Sequence, residues 1–326
     1  MKNKILKILS IFVLILSVSA CSKQNTNDNA TSNDVSRETK NEFSIDELNI
    51  SYVTAPLNVP SIVEKNKAFF QKHLPGVKIN YKEITSGADQ TQALASGDVD
   101  ILFGLGGSSA VLAKSNGQDL KVINMYSRAP EAFSIFSKDN SIKNQDDLRG
   151  KKIGGPVGTN LHQLLLSYLW LNGMTDKDVE FSNMSIPDAG LALESGNLDV
   201  ALLGGVAAYK AKEAGLNEVV NGKGLIDAII CVASSDKFIN NHPDVINALK
   251  EAHDETLGFM EEEPEKTREI VKKELDLDDK AYDYMYPMYD FSNEIKEEDK
   301  KGFERTRDFM LDNGMIENKF NIDDLF

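Results

Sequence analysis

The chain reads as an α/β fold built in two similar lobes. Three features predict this. From residue 45 onward, short β-branched runs alternate with helical patterns; one nine-residue phrase recurs 99 residues later; and 326 residues leave room for two cores.

The first twenty residues stand apart. Lys2, Lys4 and Lys7 give a basic start, and Ile5 to Val18 is almost wholly apolar, with the proportions of an export signal and too short to span a bilayer. The segment ends Val18-Ser19-Ala20-Cys21, which resembles the bacterial lipoprotein cleavage box. That resemblance implies that residues 1–20 are removed and that Cys21 is lipidated, anchoring the chain to the membrane. Residues 21–44 are then a lipidated cysteine and a polar tether. A segment of this composition buries no core, and as a flexible coil it spans roughly 26 Å.

The body follows in order. Leu48 to Val53 reads as a strand and Thr54 to Pro60 as a turn. Ser61-Ile62-Val63-Glu64 has capping-box spacing, which predicts a helix starting at Ser61. Val77 to Ile84 reads as a second strand, and a helix is expected after Ser86-Gly87-Ala88-Asp89. Val99 to Phe103 is a third strand, which breaks at Gly104-Leu105-Gly106-Gly107 before a helix capped by Ser108. Strand, short loop and helix in succession are the mark of a parallel sheet with covering helices. Leu161, Leu164, Leu165, Tyr168 and Leu169 recur at helical spacing, and Asn172-Gly173 closes that helix. Trp170 lies in the same apolar run and is expected in the core, as is Cys231 within Ile229-Ile230-Cys231-Val232, an inert buried thiol.

The recurring phrase is Ala93-Leu94-Ala95-Ser96-Gly97-Asp98-Val99-Asp100-Ile101, echoed by Ala192-Leu193-Glu194-Ser195-Gly196-Asn197-Leu198-Asp199-Val200. Both copies run on into Gly-Gly. The period is too long for a solenoid and suits one helix–turn–strand unit in each lobe.

Composition narrows the function. With 36 Lys+Arg against 51 Asp+Glu, the formal net charge is -15, so no basic surplus exists for nucleic acid. Four His and two Cys leave little for a zinc cluster or a disulfide framework. Gly104-Leu105-Gly106-Gly107 fails the dinucleotide pattern because Ser109 occupies the last glycine position and no acid follows about 20 residues on. Asp276-Leu277-Asp278-Asp279 lacks the glycine and terminal glutamate of a calcium loop and reads as a helix start. No cofactor and no metal are expected.

The cleavage box, the polar tether, the two echoing units and the repeated turn together resemble the extracytoplasmic solute-binding lipoproteins of ABC importers. Within these the chain is similar to the nitrate/sulfonate/taurine-binding family, which shares its fold with thiamine-precursor-binding proteins. Leu148 to Ile153, Pro156 to His162, and Phe238 with His242-Pro243-Asp244-Val245 carry the likeness further. The resemblance implies a type II periplasmic-binding-protein fold with a ligand cleft between lobes. Residues 45–128 plus 233–326 would form lobe one and residues 129–232 lobe two, with crossings near Tyr126–Lys138 and Ile226–Ser234. It implies a membrane-anchored monomer that delivers a small anionic organic ligand to permease and ATPase subunits. An aliphatic sulfonate or taurine-like compound is the first expectation, with nitrate, bicarbonate or a thiamine-precursor pyrimidine as alternatives.

Ligands of open parallel sheets sit past the carboxyl ends of strands, where helix N-termini converge and favour an anion. That rule selects Asn58 in the first loop of lobe one, Asp89 in the second, and Ser108 and Ser109 in the third. In lobe two it selects Gly158, Thr159 and Asn160, then Asp188, then Gly204 and Gly205. Thr159 or Asn160 stands at an N-cap, able to cap its own helix or reach a ligand oxygen. Arg128 offers a planar donor pair. The resemblance adds His162, one turn into its helix, and Glu131, where taurine-type relatives carry a glutamate that can neutralise an ammonium.

The chain departs from those relatives at Gly204-Gly205-Val206, where many of them place a large residue. This predicts either a roomier pocket or a neighbour such as Tyr126 filling the gap. Two other classes compete with this reading. Pyrimidine-precursor synthases share the fold, but they need a cysteine-rich motif that is absent here, and no Ser/His/Asp arrangement has motif context, so no enzyme is expected. A structural lipoprotein reusing the fold would show no ligand-driven closure.

Overall fold

The structure, a computed structural model, describes residues 43–326. The leader, Cys21 and the tether up to residue 42 lie outside the described residues. Phe43 and Ser44, expected at the end of the tether, belong to the body instead. Phe43 packs on the core, and the Ser44 amide and hydroxyl donate to the two oxygens of Asp244 at 2.7 and 2.8 Å.

The strands are β1 (Glu47–Tyr52), β2 (Lys78–Glu83), β3 (Ile101–Gly106), β4 (Lys121–Arg128), β5 (Phe133–Ser137), β6 (Lys152–Gly155), β7 (Glu180–Asn183), β8 (Val200–Gly204), β9 (Asn217–Asn221) and β10 (Ile229–Ser234). They form two five-stranded sheets, ordered β2-β1-β3-β10-β4 and β7-β6-β8-β5-β9. In the first, β1 runs parallel to β2 and β3, while β10 is antiparallel to β3 and β4. In the second, β6 runs parallel to β7 and β8, and β5 is antiparallel to β8 and β9. The two sheets therefore share one topology. The chain leaves the first sheet at Arg128, enters the second at Phe133, and returns between Asn221 and Ile229.

The helices are α1 (Val59–Lys67), α2 (Phe69–His73), α3 (Gly87–Ser96), α4 (Gly107–Ser115), α5 (Asn160–Trp170), α6 (Ile186–Ser195), α7 (Gly205–Glu213), α8 (Asp236–Asn241), α9 (Pro243–Glu262), α10 (Pro264–Leu275), α11 (Asp279–Met285) and α12 (Glu297–Asp312). Among the described residues no helix is long and apolar enough to cross a membrane, and no His/Cys/Asp/Glu group is placed to hold a metal.

The repeated phrase does the same work in both sheets. Ser86 and Ser185 each accept from the amide of the aspartate three residues on, Asp89 and Asp188, and return a 2.6 Å hydrogen bond to its carboxylate. Gly97 and Gly196 close α3 and α6 in the left-handed conformation, at φ 83° and 79°, which only glycine adopts without strain. Asp100 then accepts from the Asn49 amide at 2.8 Å, and Asp199 from the Lys152 amide at 2.8 Å, so each clasps the neighbouring parallel strand.

Some expectations change. The helix expected at Ser61 begins at Val59, since Pro60 suits a first helical turn. Ser61 instead hydrogen-bonds the Tyr126 hydroxyl at 2.9 Å. Glu64 is no cap. It is buried, accepting from the Phe70 amide and from the Tyr81 hydroxyl, and desolvation pushes its carboxyl up to about 8. Trp170 is 56% exposed rather than core, because α5 ends there and the inward stripe stops at Leu169. Residues 279–285, assigned to lobe one, lie against α7 of the second sheet: the Tyr209 and Tyr284 rings are 5.5 Å apart, and Lys212 donates to the Tyr284 hydroxyl at 2.7 Å. Cys231 is fully buried, and its thiol is pushed up to about 12 by burial.

Candidate ligand-binding site

Between the carboxyl ends of the two parallel strand sets lies a chamber of about 70 Å³. Five helices turn their first residues toward it: Asn58 flanking α1, Gly87 and Gln90 of α3, Gly106 and Ser109 of α4, Thr159 and Asn160 of α5, and Ile186 of α6. The first amides of a helix lack intrahelical partners, and the dipoles add positive potential. Phe133, Leu161, Ile230, Val53 and Pro56 complete the walls. No Lys, Arg, His, Asp or Glu lines the chamber among the described residues.

Two side chains in it have no protein partner for one atom. Asn58 and Gln90 are 2% and 3% exposed, and Asn58 Oδ1 and Gln90 Oε1 accept no hydrogen bond. Their amide nitrogens make only long contacts of 3.4 Å, to the Ala55 and Ile84 carbonyls. Buried polar atoms are ordinarily paired, so these two point to what the chamber receives. Turning either amide over would present a donor instead of an acceptor.

The walls are joined across the chamber. Ser109 Oγ donates to the Gly158 carbonyl at 2.9 Å. Ser108 Oγ lies 2.9 Å from Asn160 Oδ1 and 2.6 Å from Gln163 Oε1. One hydroxyl proton serves only one of these; turning over the Gln163 amide lets its nitrogen donate to Ser108 and its oxygen accept from Thr306. Asn160 Nδ2 donates to the Ile229 carbonyl at 3.1 Å. Ser108 is therefore not a cap as expected: Gly106 flanks α4 without a side-chain bond, and the hydroxyl is spent between the sheets.

The sequence-selected residues thus divide. Asn58, Ser109, Thr159 and Asn160 line the chamber, and Ser108 and Gly158 brace it. Thr159 is the N-cap of α5, and its hydroxyl donates to the Pro156 carbonyl at 2.8 Å. His162 lies behind this loop, its Nδ1 accepting from the Gly158 amide at 3.3 Å and its ring packed 4.9 Å from Phe181; burial lowers its pKa.

The structure does not bring the charged candidates into the chamber. Arg128 spends its guanidinium on Asp299, the Ser292 hydroxyl and the Ser292 and Glu294 carbonyls. Glu131 pairs with Lys223 at 2.7 Å, and Asp89 and Asp188 are exposed partners of their capping serines. Gly204 and Gly205 lie beside the chamber, covered by Pro56: a Cβ at Gly204 would stand 3.1 Å from Pro56 Cβ, and one at Gly205 would collide with the Pro56 carbonyl. Pro56, and not Tyr126, fills the space left by the missing large residue, so the pocket is not roomier there. Gln90 was missed; its signal is a polar residue one turn past Ser86 on a face otherwise buried through Gly87, Thr91 and Leu94.

The pattern of the NMT1/THI5-like family matches residues 56–267, well over half of the chain and including every chamber-lining residue except Val53 and Ala55. The chain belongs to that family. It is 30% identical over 159 residues to an *Escherichia coli* (strain K12) protein named for binding aliphatic sulfonates, covering 48% of this chain and 49% of that one. It is 28% identical over 211 residues to the taurine-binding periplasmic protein of the same organism, covering 64% and 65%. The chain thus spans about half to two thirds of these curated relatives. The fold is that of the periplasmic aliphatic sulphonate binding protein SsuA from *Escherichia coli*, with a TM-score of 0.73 at 21% identity over 87% of this chain and 98% of that one. The alkanesulfonate-binding SsuA of *Xanthomonas axonopodis* pv. citri, solved bound to MOPS, gives 0.75 at 20% identity over 83% and 94%. This NMT1/THI5-like chain therefore has the two-lobed periplasmic-binding-protein fold.

Proposed function

We propose that this NMT1/THI5-like protein is the solute-binding component of an ABC importer, held outside the cell membrane through lipidated Cys21, and that its chamber captures a small organosulfonate. It performs no chemistry; it closes its lobes on the solute and hands it to a permease. The observation that carries the reading is a chamber at five converging helix N-termini that holds buried, unpartnered Asn58 and Gln90 atoms and no charged side chain. Such a site suits a compact monoanion held by many neutral donors. It lacks the carboxylate that taurine's ammonium would need, since Glu131 is paired elsewhere, so a simple aliphatic sulfonate, with no charge beyond its sulfonate, is favoured over taurine. The relatives named for sulfonate and taurine binding support the class.

A second reading has its own support. Two amide side chains and the Phe133 ring in an uncharged chamber also suit an aminopyrimidine, a thiamine precursor. Thermal unfolding with methanesulfonate, butanesulfonate, taurine, nitrate, bicarbonate and hydroxymethylpyrimidine separates the two. A ligand at a hundred times its Kd raises Tm by about 5–10 °C. A shift with the sulfonates is expected; a shift with the pyrimidine alone moves the protein to the second reading, and a flat panel overturns both. Replacing Thr159 and Asn160 together by Ala is expected to weaken sulfonate binding at least tenfold, about 1.4 kcal/mol, with an unchanged circular-dichroism spectrum.

A further inference from the structure

Ser109 of the first lobe reaches the second at the carbonyl of Gly158, which accepts from its hydroxyl at 2.9 Å. Gly158 also comes close to α4: a Cβ on it would stand 3.3 Å from Leu112. Its φ of 70° lies in the left-handed region, which glycine adopts without strain. This contact between the lobes therefore depends on how the loop before α5 is held.

Three hydrogen bonds within the second lobe pin that loop. The Val157 amide donates to Asn183 Oδ1 at 3.0 Å, the Thr159 hydroxyl to the Pro156 carbonyl at 2.8 Å, and the Gly158 amide to His162 Nδ1 at 3.3 Å. The last is a displaced capping box. In the usual form a Glu or Gln at the third helical position reaches back to the amide of the N-cap residue. Here His162 holds that position after the N-cap Thr159, whose hydroxyl lies 3.5 Å from the His162 amide, and its ring reaches one residue further back. The amide and the carbonyl belong to one residue, so holding the first fixes the direction of the second.

Imidazole suits this position for a chemical reason. A glutamate there would bring a negative charge within one turn of the helix starts that converge on the uncharged chamber. A neutral imidazole protonated on Nε2 supplies the acceptor without the charge. Burial holds the pKa of His162 below its ordinary 6.5, against the opposing pull of Asp176. Phe181 and Asn183 of β7, and Ser109 and Leu112 of α4, which face the ring and its loop, carry no charge.

We propose that His162 is a positioning residue for lobe closure: without touching the solute, its neutral ring aims the Gly158 carbonyl at Ser109 of the opposite lobe. Only its effect on affinity rests on the sulfonate reading above.

Amide exchange followed by NMR on the ligand-free protein, and calorimetric titration with butanesulfonate near neutral pH, test it. His162→Ala should reduce the protection of the Gly158 amide about fivefold and weaken butanesulfonate binding about fivefold, the effect of one lost hydrogen bond. His162→Asn, which keeps an acceptor near the Nδ1 position and does not titrate, should restore both. His162→Glu should protect Gly158 and still bind butanesulfonate more weakly than the wild type. As pH falls through the pKa of His162, Gly158 protection should drop in the wild type and stay level in His162→Asn. Equal protection of Gly158 in the wild type and His162→Ala, or a His162→Asn variant no better than His162→Ala, overturns the role. So does a pH response that the Asn variant shares. If butanesulfonate binds none of these proteins, the sulfonate reading falls, and the exchange measurements decide the role of His162 by themselves.

Discussion

The two sheets are the same device made twice, and their differences are more informative than their likeness. In both, a serine caps the helix before the edge of the site, a left-handed glycine ends it, and an aspartate clasps the adjacent parallel strand at 2.8 Å. Even the antiparallel strands follow suit: Ser234 donates to the Asp100 carbonyl and Ser137 to the Asp199 carbonyl. What differs lies in the helix starts. Counted from the caps Asn58 and Thr159, buried Glu64 of α1 stands where α5 has Leu165; Ser108 and Ser109 of α4 stand where α7 has Val206 and Ala207. The repeat builds a frame, and a handful of positions within one helical turn of it decide what the frame holds.

The largest expected effect breaks the comparison at its tightest point. Gly205 has φ 54° and lies under the Pro56 carbonyl, where a Cβ would stand 1.7 Å from its oxygen; at its counterpart Gly107 a Cβ would be tight but not overlapping, 3.2 Å from the Ile229 carbonyl. Gly205→Val should lower affinity for the proposed sulfonate at least a hundredfold by calorimetry, because a side chain there collides with the Pro56 backbone at the chamber wall; the left-handed backbone alone costs about 1–2 kcal/mol. Gly107→Ala should cost far less.

Next comes the pH response of Glu64, which has no acidic counterpart in α5. Glu64 keeps its proton in the folded protein up to about pH 8, whereas the unfolded chain ionises near its ordinary value of 4.5. Below pH 4.5 both states are protonated and the group is silent. Between 4.5 and 8 the unfolded state has lost a proton that the folded state retains, so the group's contribution to stability falls as pH rises, and it levels off above 8. Glu64→Gln, which preserves the shape and removes the ionisation, should flatten that fall, giving a variant more stable than the wild type at pH 8 and nearly equal at pH 4.5 by denaturant unfolding.

The third prediction sharpens the likeness. Asp100→Ala and Asp199→Ala should each cost about 1–3 kcal/mol by stranding a strand amide, seen as Tm losses of similar size in scanning calorimetry. A large loss in one and none in the other would show that the clasp matters in one sheet alone. Least of all, Trp170→Ala should change stability by no more than about 0.5 kcal/mol, as expected for an exposed side chain.

Sequence pattern carried the frame further than the site. The alternation of strands and helices, the repeated turn and the buried face of α5 are local, periodic signals, and each became the element expected. The chamber is not local. Nothing in a linear reading says that Pro56 will lie on Gly204 and Gly205, or that Ser108 will be spent on Asn160 and Gln163 across the sheets. Charge drew attention to Arg128 and Glu131, whereas both found ionic partners close by, Asp299 and Lys223. Gln90 drew none, since an amide on a helix has no motif of its own. Ser61 and Trp170 misled for a shared reason: composition suggests a cap or a core residue, but the neighbouring Pro60 and the end of α5 decide the matter.

The uncharged lining of the chamber has a kinetic consequence. The chain carries a formal net charge of -15, so an approaching monoanion meets a repulsive long-range field before it reaches any helix terminus. Added salt screens that field over about 8–10 Å at physiological strength, while the short-range dipoles and hydroxyls of the enclosed chamber are screened much less. For the anionic solute proposed above, capture is expected to speed up with ionic strength while release hardly changes, the reverse of a receptor that steers its anion with lysines and arginines; stopped-flow binding at rising salt checks this. On that reading, selectivity rests with the shape and fixed dipoles of the chamber and not with long-range charge.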